Sequence, residues 1–200
     1  MIAVCDYGIG NLRSAEKALQ RLGAHARLVQ DPDEVKGARG VVLPGVGAFG
    51  TCSAALAATG MDEAVSTVID RGTPFLGICI GFQLLYERSE ESEGAAGLGV
   101  FAGEVRLLPA HVKRPQMQWN EVVERRPSAL LAGFDAPPWL YFVHSYAAAV
   151  GPETVATCDY GGEVAAACAR DNVWGVQFHP EKSGRAGLAV LANFVRRCDG

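Results

Sequence analysis

Short, mostly apolar runs recur through the first eighty residues, separated by segments whose apolar residues return at helical spacing. Runs over residues 1–6, 26–29, 40–43 and 75–78 are too brief for helices. Near-continuous apolar stretches of that length suit strands buried on both faces, as in a parallel sheet covered by helices. Between the first two runs Leu12, Ala15, Leu19 and Leu22 mark one face of a helix, with Asn11 as its expected N-cap and Gly23 past its end. Further helices are expected over 51–59 and 62–71, closed by Gly60 and Gly72, and again over 82–88. After about residue 95 the pattern changes. Strands are expected over 98–101, 104–108, 117–123, 140–143, 155–158, 164–168 and 173–178, with turns between them and little helix. A last helix over 184–198 places Leu188, Leu191, Ala192 and Val195 at helical spacing and ends in Arg196-Arg197. The pattern predicts an α/β fold: a mostly parallel open sheet flanked by helices, with a smaller antiparallel extension, in a single domain over 1–200.

Composition narrows the function classes. Two hundred residues with 49% apolar content support one well-buried core. A net charge of −4 offers no general attraction to nucleic acid or to an anionic membrane. No apolar run reaches bilayer length, and the first residues lack the basic region and cleavage site of a secretory signal, so a cytoplasmic location is expected. Six cysteines (Cys5, Cys52, Cys79, Cys158, Cys168 and Cys198) include no C-x-x-C pair. They read as free thiols, and they cannot assemble four zinc ligands at the usual spacings. Neither a metal nor a cofactor is expected. Gly8-Ile9-Gly10 lacks the third glycine of a dinucleotide fingerprint and reads as a tight strand-to-helix turn. The acidic stretch over 87–94 reads as an exposed helix end and loop.

Candidate chemistry begins at Gly77-Ile78-Cys79-Ile80-Gly81, set between a strand and a helical pattern. This is the spacing of a nucleophile elbow with cysteine at its tip. Glycines two positions away on each side let neighbouring segments approach a strained tip residue. A following helix would aim its N-terminal N–H groups at the sulfur and favour thiolate, and the Ile80 N–H is one ready oxyanion donor. Pro44-Gly45-Val46-Gly47-Ala48-Phe49-Gly50 follows another parallel strand, at the sheet edge where α/β folds place their sites. A thiolate needs a base, and the base needs a group that holds its tautomer. His179-Pro180-Glu181 supplies both: the proline ends the strand and Glu181 can turn back to the imidazole. His25 and His111 read as surface residues, and His144 is left without a role.

Gly-Ile-Cys-Ile-Gly-Phe-Gln at 77–83 and His-Pro-Glu at 179–181 resemble the class I (triad) glutamine amidotransferases. Within that class, Asp6-Tyr7-Gly8-Ile9-Gly10-Asn11-Leu12, Pro44–Phe49 and Tyr141-Phe142-Val143-His144-Ser145-Tyr146 are similar to the glutaminase subunits of imidazole glycerol phosphate synthase, over essentially the whole chain. The resemblance implies a heterodimeric enzyme of histidine biosynthesis. Cys79, His179 and Glu181 would be its catalytic triad, with oxyanion donors from Val46, Gly47 and Ile80. Gln83, Ser145 and Tyr146 would bind the α-amino and α-carboxylate groups of L-glutamine. It also implies a (β/α)₈-barrel cyclase as partner, taking ammonia to make imidazole glycerol phosphate and aminoimidazole carboxamide ribotide. Strand-like alternation at Met117, Trp119 and Asn120, with Tyr141 and Lys182, marks the expected partner face. One departure stands out: Gln116 and Gln118 occupy positions where the family usually has His and Gly. Two other readings compete. One is the glutaminase subunit of a different biosynthetic amidotransferase, and the other a stand-alone cysteine hydrolase of γ-glutamyl bonds.

Overall fold

The computed structural model describes residues 1–200. Its first half alternates strand and helix: β1 (Ile2–Cys5), α1 (Leu12–Arg21), β2 (Ala26–Val29), α2 (Pro32–Lys36), β3 (Gly40–Gly45), α3 (Phe49–Thr59), α4 (Met61–Asp70) and β4 (Phe75–Cys79). One helical turn, α5 (Ile80–Gln83), then leads to β5 (Tyr86–Ser89). The second half is mostly strand: β6 (Phe101–Leu107), β7 (Gln116–Glu121), β8 (Val123–Glu124), β9 (Trp139–His144), β10 (Tyr146–Ala148), β11 (Thr154–Asp159), β12 (Glu163–Arg170) and β13 (Val173–Val176). Helix α6 (Gly184–Cys198) closes the chain. No helix is long and apolar enough to cross a membrane.

The main sheet has the order β2-β1-β3-β4-β13-β12-β11-β8. Its first five strands are parallel, and the remaining pairings are antiparallel. Strands β1, β3, β4 and β13 are buried along their full length, as their unbroken apolar runs require. The expected fold class holds, with one change of membership. Strand β13 was grouped with the antiparallel extension, yet it runs parallel to β4 and completes the parallel core. Two small sheets sit outside the main one, β10-β6-β5 and the hairpin-like pair β7-β9.

Several local expectations change. The helix expected over 82–88 stops after Gln83, and Tyr86 instead pairs with Phe101 on β6. Phe82 to Tyr86 are all buried in succession and only Glu87 and Arg88 are exposed, a pattern with no helical period. Phe82, Tyr86 and Phe101 meet edge to face, which ties the strand to the core. The two strands expected over 98–101 and 104–108 are one, β6. Asn11 caps no backbone N–H; its side-chain oxygen accepts the Ser14 hydroxyl at 2.9 Å. Helix α2, not anticipated, follows from Asp31-Pro32: the Asp31 carboxylate accepts the Asp33 N–H at 2.9 Å, with Pro32 at the first helical position.

Candidate active site

Cys79 ends β4 with φ 55° and ψ −108°, a strained conformation for a residue with a Cβ. Two close approaches hold the elbow in that shape. A Cβ on Gly81 would lie 1.8 Å from the Leu43 carbonyl oxygen, and one on Gly77 would lie 2.6 Å from the Gly81 oxygen. Strand β3 and the turn therefore touch backbone to backbone. Gly81→Ala is expected to lower stability by about 3 kcal/mol or more, read as a shift in the denaturant midpoint, because rigid backbone lies in the way. The helix that was to direct a dipole at the sulfur is a single turn, so its contribution is mainly the free N–H groups at its start.

His179 follows β13, the parallel neighbour of β4, so the ladder brings it beside Cys79. Its main chain is fastened from two sides. The His179 N–H donates to Tyr141 C=O at 2.9 Å, and the Ser183 hydroxyl donates to His179 C=O at 2.7 Å while accepting the Tyr141 N–H at 2.9 Å. A 3₁₀ turn over Pro180–Lys182 swings Glu181 back, and Nδ1 meets Oε1 at 2.8 Å with both side chains buried. Burial alone would push the His179 pKa down. The Cys79 sulfur beside it and the Glu181 carboxylate outweigh burial by favouring imidazolium, and the pKa is raised to about 9.

A cavity of about 200 Å³ opens at this point, lined by Gly47, Cys79, Ile80, Gln83, Ser145 and Tyr146 among others. Val46 is not part of that lining. Its carbonyl accepts the Cys52 thiol at 3.4 Å, and the Pro44 carbonyl accepts the Tyr7 hydroxyl at 2.8 Å. In a trans peptide the N–H opposes the C=O, so the Gly47 N–H leaves the side of the loop away from Cys52. Glu91, from the stretch read as exposed loop, also borders the cavity and accepts the Phe49 N–H at 2.7 Å at the start of α3. His144 is buried there too. Burial lowers its pKa to about 4, with the charge of His179 adding to the effect and its bond to the Tyr146 carbonyl opposing it. It stays neutral at ordinary pH.

Gln83 and Gln177 form an amide chain under the cavity floor. Gln83 Nε2 donates to Tyr146 C=O at 2.8 Å and to Gln177 Oε1 at 3.0 Å, and Gln177 Nε2 lies 3.8 Å from Cys79 Sγ. Gln83 Oε1 is buried with no donor. Sequence reasoning missed Gln177, Tyr7, Cys52 and Glu91. None of these has a local signal, since each is fixed by partners far away in the sequence.

The expected partner face divides. Met117, Trp119 and Tyr141 lie on one side of the β7-β9 pair together with Trp139, and Trp119 packs edge to face on Tyr141. Met117 is 62% exposed, Trp119 46% and Trp139 58%, so these side chains are not core. Lys182 is exposed in the turn after His179. Asn120 does not join them: it is buried and its amide donates to Asp159 C=O at 2.7 Å. Gln116 and Gln118 share the Asn120 side of the strand, Gln116 fully buried and Gln118 donating to Asn120. The two departures therefore lie on the opposite side of the strand from Met117 and Trp119.

Comparison with known proteins agrees with this architecture. Residues 3–198 match the family described as glutamine amidotransferase class-I. The chain is 50% identical over 195 residues to imidazole glycerol phosphate synthase subunit HisH of Moorella thermoacetica, covering 96% of this chain and 93% of the relative. It is 46% identical over 195 residues to the same subunit of Bacillus cereus, covering 97% and 93%. A crystal structure of a glutamine amidotransferase superposes with TM-score 0.79 at 19% identity, over 100% of this chain and 99% of the other. PurLQS from Thermotoga maritima superposes with TM-score 0.79 at 20% identity, over 98% and 97%, and at such identities the likeness speaks to the fold. The chain belongs to the class-I glutamine amidotransferases and, within them, to the HisH subunit family of imidazole glycerol phosphate synthase.

Proposed function

We propose that this chain is the glutaminase subunit of imidazole glycerol phosphate synthase. It hydrolyses L-glutamine and passes ammonia to a (β/α)₈-barrel cyclase, in the cytoplasmic synthesis of histidine. The observation that carries the chemistry is Cys79 at the cavity wall, with the buried His179–Glu181 pair just past the end of the neighbouring parallel strand. The Cys79 thiolate attacks the side-chain carboxamide carbon. N–H groups of Ile80 and of the Val46-Gly47 segment receive the oxyanion. Protonated His179 gives its proton to the departing nitrogen, so ammonia leaves and a γ-glutamyl thioester remains. His179 then takes a proton from water as the water attacks the thioester; the thiolate departs and glutamate is formed. The bare Gln83 Oε1 suits the α-ammonium, with Ser145 and Tyr146 beside the α-carboxylate.

Ammonia is a nucleophile only while unprotonated, so direct transfer to a docked acceptor protects it. Met117, Trp119 and Trp139, with the half-buried Tyr141 between them, supply an exposed apolar face on β7 and β9, and β9 runs into His144 at the cavity wall. A stand-alone hydrolase has no use for such a face. Trp119→Ala is expected to weaken the complex about tenfold or more, with little change in melting temperature. Unchanged binding with a large thermal loss would return Trp119 to a packing role. The decisive assay mixes the purified chain with the cyclase and its acceptor substrate and follows glutamate release. Release that rises strongly on mixing supports the assignment; full activity in the lone chain favours the stand-alone hydrolase.

A further inference from the structure

The amide chain that ends on Cys79 has a polarity set by one backbone group. The Tyr146 carbonyl only accepts, so Gln83 must turn its NH₂ toward it. The second hydrogen of that NH₂ goes to Gln177, which must therefore present its oxygen. The Gln177 NH₂ is left facing the other way, against Cys79 Sγ at 3.8 Å. Gln177 is fully buried, and its backbone N–H donates to Ala166 C=O at 2.9 Å, so the residue has no freedom to turn.

Building on the reading of Cys79 as nucleophile, we infer that Gln177 is a catalytic group whose side-chain N–H donates to the sulfur and stabilises it as thiolate. The thiol proton has its own outlet in Val143 C=O, 4.0 Å away, so the neutral form gains little from the amide. A hydrogen bond to an ion is worth more than one to a neutral atom, so the donor acts mainly when the sulfur is charged. That happens twice, before attack on the carboxamide and when the thioester breaks. The chain also links the two ends of the substrate site. A cation held at Gln83 Oε1 polarises the Gln83 amide, then Gln177, and so strengthens the donor on the sulfur.

The titratable groups around Cys79 are His179 with Glu181 behind it, His144 on β9, Tyr146 on the cavity wall, Cys52 and Tyr7 beneath the Pro44–Gly47 loop, and Glu91 across the cavity. A substitution at 177 changes none of them. The test follows iodoacetamide alkylation of the full-length chain against pH, with the Cys79 peptide identified by mass spectrometry. Competing thiols are slow, because burial pushes Cys5 up to about 12, Cys198 to about 12 and Cys158 to about 11, and raises Cys52 and Cys168 as well. Gln177→Met should raise the alkylation midpoint by about one pH unit, about tenfold less thiolate below both midpoints. Gln177→Asn, whose amide stops one methylene short, should move it the same way, and thermal unfolding identifies which variants are folded. An unchanged midpoint in a folded variant overturns the proposal. Failure of the wild-type complex to release glutamate would instead remove Cys79 as nucleophile, and the midpoint would still report whether Gln177 bonds its sulfur.

Discussion

Cys79→Ala abolishes glutamine hydrolysis, by about five to six orders of magnitude, while the complex still makes product from added ammonium salt. Removal of a nucleophile that forms a covalent intermediate leaves only the residual effects of binding and of the oxyanion donors. The cyclase half-reaction needs ammonia and not its source, so it survives. Alanine keeps a Cβ at the φ 55° position, and Met117, Trp119 and Trp139 of the expected partner face are not among the residues that line the cavity. Measuring glutamate release and ammonia-dependent product in one preparation checks both halves. Appreciable glutamate release by the pure variant would exclude Cys79 as the nucleophile.

His179→Asn causes a loss of similar size, and Glu181→Gln a loss smaller by roughly one to two orders of magnitude, because the second change disturbs the base without removing it. The pH profile separates the roles. His179 is raised from the usual 6.5 to about 9, so its imidazolium is fully present below about 6.5 and is lost as pH climbs through about 9. Glutaminase activity should fall on that alkaline side as the proton for the leaving nitrogen disappears. The stability that the buried imidazolium contributes fades over the same window. Glu181→Gln takes away one of the two groups that raise the pKa, and the alkaline limb should move to lower pH. A limb that stays in place in Glu181→Gln would mean that His179 is not the titrating acid.

Much of this site could be read in the sequence, for reasons that particular residues make plain. The elbow was legible because its glycines answer a local demand: only a residue without Cβ fits where Gly81 meets the Leu43 carbonyl. The pairing of His179 with Glu181 was legible because one proline and one turn bring it about. What stayed hidden depends on distant segments. Gln177 looks like an ordinary strand-end residue until Tyr146 and Gln83 fix its amide, and Cys52 has meaning only beneath the Val46 carbonyl. Strand β5 reads as helix in the sequence because only its long-range pairing with β6, through Tyr86 and Phe101, decides its form.

The position of β13 in the sheet also governs when the protein becomes an enzyme. Residues 173–176 lie between β4 and β12, in the middle of the sheet, yet they leave the ribosome after every other strand. Until they arrive, β4 and β12 each present an open edge of unpaired backbone groups, and Cys79 has no imidazole beside it. A nascent or truncated chain ending before residue 173 is therefore both inactive and sticky. Hydrolysis of glutamine therefore waits until residues 173–181 have been made and β13 has slotted into the gap between β4 and β12.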